Sequence, residues 1–173
     1  MKSIVHAACT ALAGIAASVI LPQAINAQSP DTNHIQGLAG RWTGTGLVQW
    51  RNGSSEPYKC VVTYFLDSTG ANVKQNLRCS GESGKLELAT NMLVTGESIT
   101  GTWEERNSAM KGNVKGRVTT DGFEALAHNA HFNAKFEIAM ISGCEQTVTI
   151  TPSRQIQTIT ATLKKTSDRE PCQ

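Results

Sequence analysis

The sequence predicts an all-β fold: a single antiparallel meander of eight to ten strands closed into a barrel. Three observations carry this expectation. Helix signals are almost absent, whereas Thr, Val, Gly and Ser recur and turn-forming pairs come at short intervals. The links between candidate strands are mostly two to six residues, too short for a crossover helix, so neighbours pair antiparallel. Bulky residues also meet small ones across the expected hairpins, as the taper of a closed barrel requires.

The ten strands are expected at 41–50, 57–66, 72–80, 84–94, 97–105, 110–119, 122–128, 131–140, 144–151 and 155–165. Folding the chain about the turn Asp67-Ser68-Thr69-Gly70-Ala71 sets Cys60 opposite Cys79, Val62 opposite Leu77, Tyr64 opposite Gln75 and Leu66 opposite Val73. Side chains alternate along a strand, so all eight share one face. The other face receives Lys59, Thr63, Lys74, Asn76 and Arg78, with Val61 and Phe65 as apolar exceptions. One register therefore buries the apolar residues, exposes the charges and joins two cysteines. A loop of about 20 residues closed this way is worth roughly 3 kcal/mol in the chain-entropy account.

Asp121-Gly122 reads as a two-residue hairpin turn that pairs Val118 with Ala125 and Gly116 with Ala127. A turn near Asn107-Ser108 pairs Trp103 with Gly112, Gly101 with Val114 and Ile99 with Gly116. Phe132, Ala134, Phe136, Ile138 and Met140 form a further inward row, as do Ile159, Ala161 and Leu163.

Residues 1–27 read as a secretory signal peptide: Lys2, an apolar run from Ile4 to Leu21, then Pro22 and Ala27 before the expected cut. Cys9 lies before most of the apolar run, too early for lipid attachment, and leaves with the leader. Residues 28–38 are expected as a flexible lead-in, 39–165 as the barrel domain and 166–173 as a tail tethered by a disulfide. The mature chain then keeps four cysteines, Cys60, Cys79, Cys144 and Cys172, an even set in a small exported protein. That predicts an oxidising compartment, the periplasm or the outside of the cell, and two disulfides. With Cys60 joined to Cys79, Cys144 is left for Cys172; four cysteines formally allow two other connectivities.

The formal net charge is +2, and loss of Lys2 with the leader leaves +1. With no basic block or strip of exposed aromatics, nucleic acid is not an expected partner. Beyond the leader no apolar run is long enough for a membrane helix, so no membrane span is expected after cleavage.

Gly40-Arg41-Trp42 at the head of the first strand, in an exported meander of this length, resembles the calycin group of lipocalins, avidins and fatty-acid-binding proteins. In that group the Trp packs across the closed end of the barrel. Gly101-Thr102-Trp103 repeats the triplet and looks avidin-like. The resemblance implies a barrel and a binding role; it transfers no ligand, because a fold does not fix a function.

Signals for catalysis are weak. His128 and His131 frame a turn, and in extended chain residues three apart point to opposite faces, so they read as polar turn residues. The adjacent Glu104 and Glu105 face opposite ways and do not oppose each other across one substrate. Ser80-Gly81-Glu82-Ser83-Gly84 lacks the helix that a nucleophile elbow requires. No catalytic residue, metal ligand or cofactor is assigned; a hydrolase-like site near His128 and His131 with Glu104 is a minor alternative.

The sequence thus points to a non-catalytic barrel that binds a small, partly apolar molecule. Val62, Tyr64, Gln75, Leu77, Ile99, Trp103 and Phe136 are its candidate lumen residues. Trp50 to Gly53 form a strand end whose aromatic either covers the mouth or meets a ligand. The alternative is a protein-binding module of the cell envelope, such as a lysozyme or protease inhibitor, with a packed core and a projecting loop at Trp50–Pro57 or Arg106–Met110.

Overall fold

A computed structural model gives the fold and describes residues 33–166. A short helix, α1 (Asn33–Gly37), precedes ten strands: β1 (Gly40–Trp50), β2 (Ser55–Leu66), β3 (Asn72–Ser80), β4 (Lys85–Thr95), β5 (Ser98–Glu105), β6 (Met110–Val118), β7 (Gly122–His128), β8 (Asn133–Ser142), β9 (Glu145–Pro152) and β10 (Ile156–Thr166). Each strand pairs antiparallel with the next, and β10 returns to β1, closing the barrel. Closure pairs every strand on both sides and leaves no free edge.

The register expected around Gly70 is the one observed. Cys60 faces Cys79, Val62 faces Leu77, Tyr64 faces Gln75 and Leu66 faces Val73. Cys60 and Cys79 form the one disulfide seen among the described residues. Cys144 is not free, and its expected partner Cys172 lies outside the described residues, as does the leader 1–27.

The β5–β6 pairs also stand as expected: Trp103 opposite Gly112, Gly101 opposite Val114, Ile99 opposite Gly116. Gly112 has no room for a side chain. A Cβ there would lie 2.2 Å from the His128 carbonyl oxygen and 2.7 Å from Trp103 Nε1.

Two expectations need correction. The Asp121-Gly122 hairpin is displaced by two residues: Val118 pairs with Phe123 and Gly116 with Ala125. Thr119 N–H donates to the Gly122 carbonyl, so Thr120 and Asp121 make the turn. Gly122 serves close approach instead of positive φ, because a Cβ on it would come 2.0 Å from the Ile138 carbonyl oxygen. The shift of two preserves the inward and outward faces. Second, the end of the segment expected as a flexible lead-in, 28–38, is ordered. It contains α1, and Ile35 and Leu38 are fully buried.

No helix among the described residues is long and apolar enough to cross a membrane. The outward rows carry Lys59, Lys74, Arg78, Lys115 and Lys135, charges where a membrane barrel presents an apolar band.

Candidate functional site

The two ends of the barrel differ. At the closed end, where β1, β3, β5, β7 and β9 begin, α1 lies against the opening. Trp42 Nε1 donates to the Leu38 carbonyl at 2.8 Å, and Lys165 Nζ donates to the Gly37 carbonyl at 3.0 Å while lying 5.3 Å from the Trp42 ring centroid. The largest fully buried side chains, Trp42, Tyr64, Ile35, Leu38, Ile99 and Leu163, gather here. A polar pair sits among them: the Tyr64 hydroxyl donates to Gln146 Oε1 at 3.3 Å. Burial pushes the Tyr64 phenol well above its ordinary pKa, outweighing the Gln146 bond, so it stays a neutral donor. Burial also lowers the Lys165 pKa.

The other end is open. Five short turns surround it, at 51–54, 81–84, 106–109, 129–132 and 153–155. Beneath them lies a cavity of about 520 Å³. Its walls are Val48, Leu88, Ala127, Ala134, Ile150 and Ile159, with Trp103 and Phe136 as the large aromatics. Trp50, Tyr58 and Phe132 ring the mouth. Phe132 packs on Trp103 with centroids 5.6 Å apart and planes tilted by 60°. The size falls within the range of pockets for small organic molecules, about 300–1,000 Å³.

Of the seven residues expected in the lumen, Trp103 and Phe136 line this cavity. Val62, Tyr64, Leu77, Ile99 and Gln75 also point inward and are buried, but they are packed below it. Gln75 Oε1 accepts from the Thr90 hydroxyl at 3.1 Å rather than from Tyr64. Trp50 stands at the mouth, where its strand end placed it. Sequence reasoning missed Val48, Leu88, Ala127, Ile150 and the polar rim. Strand parity marks these as inward; the signal not used was their nearness to the mouth-side turns.

Glu105 lines the cavity, yet its carboxylate is occupied. Oε2 accepts from the Ser108 N–H at 2.7 Å and hydroxyl at 2.6 Å; Oε1 accepts from the Glu87 and Asn107 N–H groups and from Asn107 Nδ2. Burial acts to raise its pKa, but these bonds, led by the Ser108 hydroxyl, outweigh it and hold the pKa below the usual range. This carboxylate fixes the β5–β6 turn. Glu104 lies on the outer wall opposite Lys111, beside a shallow depression of about 420 Å³. His128 is half-buried on the outward row of β7, and His131 is exposed in the next turn. The structure therefore does not gather Glu104, His128 and His131 around the lumen. No group of three or more His, Cys, Asp or Glu is placed to hold a metal among the described residues.

Fold and cavity together define a closed ten-stranded antiparallel barrel, plugged at one end and holding a cavity at the other. No family model matches the chain, and no curated protein matches it. Among solved structures it is similar to the S-type phycobiliprotein lyase CPES from Guillardia theta, with a TM-score of 0.63 at 8% identity over 82% of this chain and 96% of that one. Rv2717c from M. tuberculosis gives a TM-score of 0.59 at 13% identity, over 80% and 98% of the two chains. At these identities the likeness is one of fold.

Proposed function

We propose that the protein is an exported, non-catalytic barrel that binds a small, partly apolar ligand in the mouth half of its lumen. The observation that carries this is the cavity of about 520 Å³, walled by aliphatic and aromatic side chains and reached between short turns. Trp103 and Phe136 are the ligand's main contacts, and Val62, Tyr64, Gln75, Leu77 and Ile99 form the packed floor that sets its depth. Export rests on the leader and on the Cys60–Cys79 bond, which suits an oxidising compartment; Cys144 with Cys172 is the second bond of that reading.

The protein-binding alternative expects a packed core and a projecting loop. The turns at 51–54 and 106–109 are four residues each, and the mouth half is not packed, so the ligand reading is favoured.

Native mass spectrometry of protein purified from its own host tests the proposal, together with titration by the neutral probe N-phenyl-1-naphthylamine. A bound molecule, or probe binding that Ala134→Leu weakens at least about tenfold by filling the cavity, is expected. No bound molecule, and probe binding absent or indifferent to that substitution, would overturn it.

A further inference from the structure

Some cations of the outer wall are ion-paired. Arg117 meets Glu124 at 2.6 Å, Lys135 meets Glu137 at 2.6 Å, and Arg78 lies 4.0 Å from Glu87. Arg154, in the β9–β10 turn, lines the cavity and sends Nη2 across to the His131 carbonyl at 2.8 Å. Arg51, in the β1–β2 turn, donates Nε to the Arg154 carbonyl at 2.7 Å. Lys85 lines the cavity near the β3–β4 turn. Among the described residues, none of the three is within ion-pair distance of a carboxylate.

The carboxylates nearby are committed elsewhere. Glu105 is consumed by its own turn, and Glu56 accepts the Ser83 N–H at 2.8 Å. The turns are polarised as well. Arg51, Arg106 and Arg154 stand at the mouth against Glu82, whereas Asp67, Glu97 and Asp121 stand at the closed end with no basic residue in those turns.

We propose that the lumen ligand is an anionic amphiphile: its carboxylate or similar acid group lies against the Arg154 guanidinium at the mouth, and its apolar body descends onto Trp103 and Phe136. A planar guanidinium with one hydrogen bond to backbone keeps a fork of donors for a carboxylate or sulfonate. Arg51 acts behind it, holding the turn that presents Arg154. This rests on the lumen reading above and specifies the ligand's charge and orientation.

A matched pair of probes tests it: 8-anilinonaphthalene-1-sulfonate and N-phenyl-1-naphthylamine share the same aromatic body, and only the first carries a charge. The full chain should bind the anionic probe more tightly. Arg154→Gln should weaken the anionic probe about five- to tenfold and the neutral one less than about twofold. Raising salt from about 20 mM to about 500 mM should weaken the anionic probe alone, a check that needs no variant. If the two probes bind equally and neither salt nor Arg154→Gln separates them, the anionic inference falls while the lumen reading stands. If no bound molecule is found and probe binding is absent or indifferent to Ala134→Leu, the lumen reading falls and takes this inference with it.

Discussion

The interior of this barrel is two rooms built by one alternation. The closed half holds Trp42, Tyr64, Ile99 and Leu163, and Ile35 of α1 and Leu38 just after it add to them from outside the sheet. In the mouth half the inward positions include Ala127 and Ala134, and among the described residues no helix caps them. Every inward row spans both halves, so the difference lies in side-chain volume and in the plug. Large groups meeting at one end produce a core; smaller groups at the other leave room. The core half supplies rigidity, and the open half is where the proposed ligand would lie.

The largest test of this comparison is a truncation in each half. Trp42→Ala removes a fully buried indole and its bond to the Leu38 carbonyl, and should cost about 3–5 kcal/mol. Phe136→Ala removes a half-buried ring that borders existing space, and should cost about 1–2 kcal/mol. Urea unfolding followed by tryptophan fluorescence reads both in the same units. Equal costs would mean that the halves are packed alike and that the contrast is false.

The disulfide links the halves, because it lies in the wall between floor and mouth, with Cys79 lining the cavity. Its sequence separation is 19 residues. Replacing both sulfurs, Cys60→Ala with Cys79→Ala, should cost about 2–4 kcal/mol, mainly by freeing the unfolded chain. The neutral probe should still bind the folded variant, since the hairpin register is set by alternation as well as by the bond. Loss of binding in a variant that still folds would show that the sulfurs shape the cavity.

Much of this was legible beforehand, for definite reasons. All ten strands fall within two residues of expectation, because hydrophobic alternation broken by turn residues is a local signal. The Cys60–Cys79 register was legible because charges, apolar residues and sulfurs all demanded it. Gly122 misled, since a glycine after Asp suits both a turn and a crowded strand, and only the neighbouring Ile138 carbonyl decides between them. Ile35 and Leu38 were hidden in a polar stretch, because a five-residue helix has too little periodicity to show. Period two assigns Val62 and Phe136 to the same side of the wall but says nothing of depth. Separating floor from cavity required knowing which end α1 closes.

The smallest test compares two turns, one at each end, each held by a carboxylate. At the mouth, Glu105 binds the 106–109 turn and is 8% exposed. At the closed end, Asp67 binds the 67–71 turn from the exposed surface, accepting from the Thr69 hydroxyl at 2.8 Å, the Ala71 N–H at 3.1 Å and the Asn72 side chain. The Asn72 and Thr69 bonds pull the Asp67 pKa from 3.8 to about 2. A depressed folded-state pKa adds stability that is fully present above the unfolded value and disappears as pH falls through the folded value. Asp67→Asn should therefore be less stable than the native chain at neutral pH, by an amount constant above the unfolded pKa. The gap should narrow as pH falls from 3.8 through about 2. Glu105→Gln should lose about 1–2 kcal/mol at neutral pH, the larger effect, because its hydrogen bonds are sheltered from water. Its gap from the native chain should also narrow in acid, since its pKa is lowered too. Chemical unfolding at a series of pH values measures both. A gap for Asp67→Asn that widened toward low pH would reverse the sign argued here and show that its carboxylate does not hold the turn in its charged form.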